Sequence, residues 1–129
     1  MTNNSKTIAY LDACFRKGDI EKISYLFAPD FVFYVNAGEK QGFEEFANLM
    51  KQAAGQIIIK GDKMVSQDDI HFSTEFELPT EVENVKRIGF VEVQVHNCII
   101  KSFNLHFHTQ EVEVEKFRQV MKNSNAAYI

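Results

Sequence analysis

The chain has 129 residues, 45% of them hydrophobic and 25% charged, with 12 Phe and no Trp. That is enough apolar material for a single core without disulfide staples, and too much for a disordered chain. A net charge of −4 without any Lys/Arg cluster argues against a nucleic-acid or anionic-membrane surface, since either depends on concentrated positive charge.

No apolar run approaches the length of a membrane span, and residues 1–6 are too polar for a signal peptide, so a cytoplasmic location is expected. Cys14 and Cys98 stand in unlike segments and form no paired-thiol or zinc motif, which reads as two small buried thiols in a reducing compartment. One domain over residues 1–129 is predicted, and no internal repeat or linker divides it.

Taken in order, Thr2 to Ser5 is a polar lead-in, and Ile8, Leu11, Cys14 and Phe15 then recur at the spacing of an amphipathic helix that Gly18 can end. Asp19 can cap a shorter helix burying Ile20, Ile23, Leu26 and Phe27, with Pro29 closing it. Phe31 to Val35 reads as a strand, Asn36 to Gly38 as a turn, and a third helix from Gly42 carries Phe43, Phe46, Leu49 and Met50 on one side. Gln56 to Met64 and Ile70 to Leu78 are strand candidates. The second alternates Phe72, Thr74, Phe76 and Leu78 against His71, Ser73, Glu75 and Glu77.

Residues 87–95 and 98–106 read as a hairpin about His96-Asn97. A type I′ turn there sets Val95 opposite Cys98, Val93 opposite Ile100 and Val91 opposite Ser102 on one face. On the other face Glu92 meets Lys101, Phe90 meets Phe103 and Ile88 meets Leu105. The same register puts Gly89 opposite Asn104 and Arg87 opposite His106. An interior strand glycine marks a bulge or a close approach, so that end of the hairpin is where a ligand is sought. Beyond it, residues 111–122 are expected to form a helix, with a strand through Val112 and Val114 as the alternative.

Helices early and strands late make an α+β chain: a curved antiparallel sheet wrapped around N-terminal helices. Phe15-Arg16-Lys17-Gly18-Asp19, then Leu26-Phe27-Ala28-Pro29-Asp30-Phe31-Val32-Phe33, then Gly42 before a helix, resemble the SnoaL-like branch of the nuclear transport factor 2-like superfamily over about residues 6–108. The resemblance implies a cone with an interior pocket and a homodimer through the outer sheet face, here the face bearing Phe90, Phe103 and Leu105. It also implies a small, mostly apolar ligand and no cofactor. The reactions it brings into view are those of cofactor-independent isomerases, cyclases, lyases and hydrolases. A non-catalytic interaction or scaffold module, its pocket filled by Phe33, Phe76 and other aromatics, is the alternative.

Ketosteroid isomerases of this superfamily use an aspartate base with a tyrosine and a protonated aspartate as oxyanion donors. Those positions fall at Leu11, near Val35 and near Val91, all apolar here, so that machinery is not matched. The expected pocket consists of Leu11, Phe33, Val35, Thr74, Phe76, Val91, Val93, Ser102 and Asn104, with His106 as the candidate general base. Tyr10 is a further candidate lining residue, and Arg87 is expected at the mouth. His106 and His108 share an i, i+2 spacing but lack an evident third ligand, so no metal site is expected.

Overall fold

A computed structural model describes residues 2–36, 38–53, 58–59, 64–79, 86–108 and 125–126. Helix α1 spans Asn3–Lys17. The hydroxyl of Thr2 accepts from the Ser5 backbone N–H at its start. Gly18, at φ 74°, ends it by donating to the Phe15 carbonyl, while Asp19 N–H reaches the Cys14 carbonyl. Glycine suits that left-handed position because it has no Cβ to clash.

The expected shorter helix follows over Ile20–Leu26 and is of the 3₁₀ type. Asp19 makes no side-chain cap there, and Ile23 departs from helical geometry. Helix α2 spans Phe43–Ala53, where Glu45 reaches back to accept from the Gly42 N–H, half of a capping box.

The strands are β1 (Phe27–Val35), β2 (Ile58–Ile59), β3 (Val65–Ser66), β4 (His71–Pro79), β5 (Lys86–His96), β6 (Ile99–His108) and β7 (Asn125–Ala126). They join in the order β1-β6-β5-β4-β3-β7, with β2 also paired to β4. The sheet is mixed and not antiparallel as predicted, because β1 lies parallel to β6. The predicted strand over 56–64 is represented by β2, with β3 beginning just beyond its end. The helix expected over 111–122 lies outside the described residues. Strand β1 begins four residues before the predicted Phe31, so Pro29 sits inside it. It is tolerated because β1 is at the sheet edge and its register with β6 is irregular between Phe27 and Val32.

The hairpin differs from its predicted register in two ways. The turn is Asn97-Cys98, one residue later, with φ of 49° and 69°, and His96 pairs with Ile99. Helix α1 holds it there: Asn4 Oδ1 accepts from the Cys98 N–H at 2.9 Å, and Thr7 donates to the Cys98 carbonyl at 3.0 Å. A second device lies just beyond, since Val95 pairs with Ile100 but Gln94 pairs with Ser102, leaving Lys101 as an extra residue in β6.

Moving the turn by one residue changes partners but not faces, whereas the bulge turns every later β6 side chain over. Glu92 therefore faces Asn104, Phe90 faces His106, and Val93 faces Phe103. Phe103 and Leu105 are 6% and 2% exposed and belong to the core, so the outer face drawn for a homodimer does not exist as predicted. Of its three residues only Phe90 lies on the outer side, and it is fully buried.

The core lies between the helices and the concave face of the sheet. Phe46 of α2 stacks near Phe103 with ring centroids 4.7 Å apart, and Phe27, Phe31, Phe33 and Phe43 gather around it at 5.3–6.3 Å. Such tilted and edge-on contacts add to burial. Half of the chain's Phe residues are thus spent at this end of the core. The predicted alternation of β4 holds, with Phe72, Thr74 and Phe76 buried and His71 exposed.

Candidate functional site

A partly enclosed cavity of about 60 Å³ remains between α1, α2 and the sheet. Leu11, Asp12 and Phe15 of α1 form one wall, and Ile20, Phe46, Met50 and Met64 another. The sheet supplies the floor through Thr74 and Phe76 of β4, Val91 of β5, and Phe103 and Leu105 of β6. Register explains the grouping, since Thr74 pairs with Val91 and Val91 with Leu105 on the inward side of three adjacent strands.

Of the predicted pocket residues, Leu11, Thr74, Phe76 and Val91 line this cavity. Val93 and Phe33 are buried in the core beside it, and Val35 packs against that core from a half-buried position. Tyr10 is 61% exposed on α1. Ser102, Asn104 and His106, expected inward, lie on the opposite face because of the bulge at Lys101. There Ser102 donates to Gln94 Oε1 at 3.4 Å, and His106 Nε2 sits 3.7 Å from Glu92 Oε2. The side chains of Arg87 and His108 lie outside the described residues.

Gly89 marks a close approach, as predicted, but the approaching group belongs to the protein. A Cβ there would collide with Phe76 Cζ and stand 2.7 Å from the His106 carbonyl oxygen. The ring of Phe76 crosses the space that a side chain at 89 would fill, and that placement brings Phe76 to the cavity floor.

Two of the described lining side chains are polar. Asp12, 16% exposed, accepts from Arg16 Nε at 3.0 Å through Oδ2. Its signal is present in the sequence: Ile8, Leu11, Asp12 and Phe15 stand at i, i+3, i+4 and i+7, so a carboxylate occupies the apolar stripe of α1. Thr74 is 5% exposed, and its hydroxyl makes no hydrogen bond among the described residues. Phe46, Met50, Phe103 and Leu105 read in sequence as ordinary core and line the cavity only because the three-dimensional packing leaves a gap beside them.

No family model matches the chain, and no curated protein matches it. Solved structures do. A steroid delta-isomerase from Pseudomonas aeruginosa superposes with a TM-score of 0.68 at 16% identity, covering 95% of this chain and 90% of that one. An NTF2-like protein of unknown function from Cytophaga hutchinsonii superposes at 0.60 with 11% identity, over 85% and 94% of the two chains. An LEH-like epoxide hydrolase from M. tuberculosis superposes at 0.56 with 12% identity, over 92% of each. At these identities the likeness is one of fold. The fold is the nuclear transport factor 2-like α+β fold, with its helices on a curved mixed sheet.

Proposed function

We propose that this chain is a SnoaL-like protein that holds a compact, mostly apolar molecule in the cavity between α1 and the sheet. The observation that carries the reading is the lining, in which apolar side chains from both helices and three strands surround a space that holds, among the described residues, one carboxylate and one hydroxyl. Binding sites for small molecules have this composition, apolar walls with a few polar groups to set orientation. The local motifs around Gly18-Asp19 and Pro29-Asp30, and the order of the elements, support the branch.

An acid-base step on the bound molecule falls to Asp12, the one titratable side chain among the described lining residues. His106 does not serve, since it lies on the far side of the sheet from the cavity. Steroid delta-isomerase and epoxide hydrolase activity in proteins of this fold makes such a step a reasonable object of assay. Titration of methyl-labelled protein with small cyclic hydrocarbons and ketones tests the binding reading. Shifts at Leu11, Val91 and Leu105 methyls are expected, and their absence at millimolar ligand would overturn it.

A second reading, an interaction module with a filled interior, is favoured by one observation. The cavity is about 60 Å³, against roughly 300 Å³ or more for drug-sized sites. The two diverge on Val91→Ile, which adds a methylene to the floor. A filled scaffold gains or keeps stability and keeps its partner, whereas a binding protein loses ligand affinity.

A further inference from the structure

We infer that the cavity's ligand is a neutral molecule with an apolar body and a single oxygen function, a small alcohol or ketone, anchored on the Thr74 hydroxyl. The inference rests on the binding reading and narrows it to a chemical class.

A buried hydroxyl ordinarily finds a partner, because leaving one unmade forfeits its hydrogen bonds to water. Thr74 is buried, at 5% exposure. Yet its Oγ1 bonds no described residue, nor is it sealed in against carbon, since it is not among the fully occluded polar atoms without partners. Thr74 lines the cavity, and the sheet pairing turns it inward beside Val91. The hydroxyl therefore looks into the cavity that its side chain lines.

A threonine in a strand can elsewhere be a β-former whose hydroxyl bonds a neighbouring carbonyl. Here Thr74 pairs with Val91 of β5, and on the other edge of β4 the pairings flank it, with β3 at residues 72–73 and β2 at residues 76–77. No carbonyl of the described residues takes the Thr74 hydroxyl, which leaves it the cavity that its side chain lines.

Charge sets the second constraint. The Asp12 carboxylate is balanced by Arg16 at 3.0 Å, so the described lining carries no uncompensated charge for an ion to meet. A hydroxyl can donate to a carbonyl oxygen or accept from an alcohol, and it serves either ligand with one bond. A pure hydrocarbon that displaced water would strand the Thr74 hydroxyl. An oxygenated one replaces the bond it lost to solvent, which is how a buried polar group selects among molecules of like shape.

The test compares cyclopentanone, cyclopentanol and cyclopentane binding to the native chain, Thr74→Val and Thr74→Ser, followed by methyl NMR. The valine variant is expected to weaken the ketone and the alcohol by about tenfold while leaving cyclopentane unchanged or tighter, as loss of one hydrogen bond predicts. The serine variant should keep the preference. Equal effects of Thr74→Val on all three ligands would overturn the chemical class and leave binding intact. If none of the three binds the native chain, the binding reading falls, and this inference with it. Should Thr74→Val fail to fold, the hydroxyl holds the structure and not a ligand, and the proposal is wrong.

Discussion

Glycine 89 shows how one missing side chain shapes a site. Its absence of a Cβ lets the Phe76 ring lie across β5, and Phe76 then forms part of the cavity floor. Gly89→Ala is expected to destabilise the fold by about 1–3 kcal/mol, the range for overpacking a core, as read from urea unfolding. Trimming the ring in Gly89→Ala/Phe76→Leu should restore only part of this, since the His106 carbonyl at 2.7 Å is backbone and cannot swing away. The sequence flags the glycine as a close approach but not what approaches, because the nearest ring is on β4 and is brought there by pairing alone. Asp12 is equally visible in the apolar stripe of α1, but Cys14 and Phe15 complete a helical pattern without it.

Among the elements, the hairpin is the one whose pattern and geometry part company. Alternation in 87–95 and 98–106 identifies two strands and their turn to within a residue. It cannot reveal the bulge at Lys101, since an exposed lysine between Ile100 and Ser102 fits either register. That one residue decides the site, moving Ser102, Asn104 and His106 out and Phe103 and Leu105 in. What selects the observed turn is distant in sequence: Asn4 bonds the Cys98 N–H and the carbonyls of Asp69 and Val95. Asn4→Ala should therefore cost about 1–3 kcal/mol and broaden the amide resonances of Asn97 and Cys98. A second turn, between β3 and β4, is fixed by Asp68. The backbone N–H of His71, and next its imidazole, hold the Asp68 carboxyl well below the usual carboxylate range. A group depressed in this way stabilises the fold above its unfolded value of about 3.9 and loses that contribution as pH falls through the folded one. The stability advantage of the native chain over Asp68→Ala should thus be present at about pH 6 and shrink below about pH 4, measured as urea midpoints.

For the molecule as a whole, the order of helices and strands is enough to anticipate an α+β cone. Its parallel edge is not legible, because β1 and β6 carry no mutual signal in sequence. Phe103 is where the observed register matters most for stability. With the side chain on an outer face, Phe103→Glu would leave a folded monomer. With it 6% exposed beside Phe46 and Phe33, the same change places an unpaired charge in the core. It is expected to cost more than about 4 kcal/mol, a large part of the usual 5–15, and circular dichroism should show lost structure in place of a native-like spectrum. The parallel pairing of β1 with β6 also has a consequence in time. During synthesis β1 is complete long before its partner exists, so Phe27, Phe31 and Phe33 must wait for nearly the whole chain, and the interval is one of exposure to other chains. Phe43 and Phe46 of the next helix provide the nearest shelter. Pulse-labelled hydrogen exchange during refolding should find the amides of Val93 and Phe103 protected before those of Phe33 and Val35, with crowded or slow synthesis penalising the chain at its beginning more than at its end.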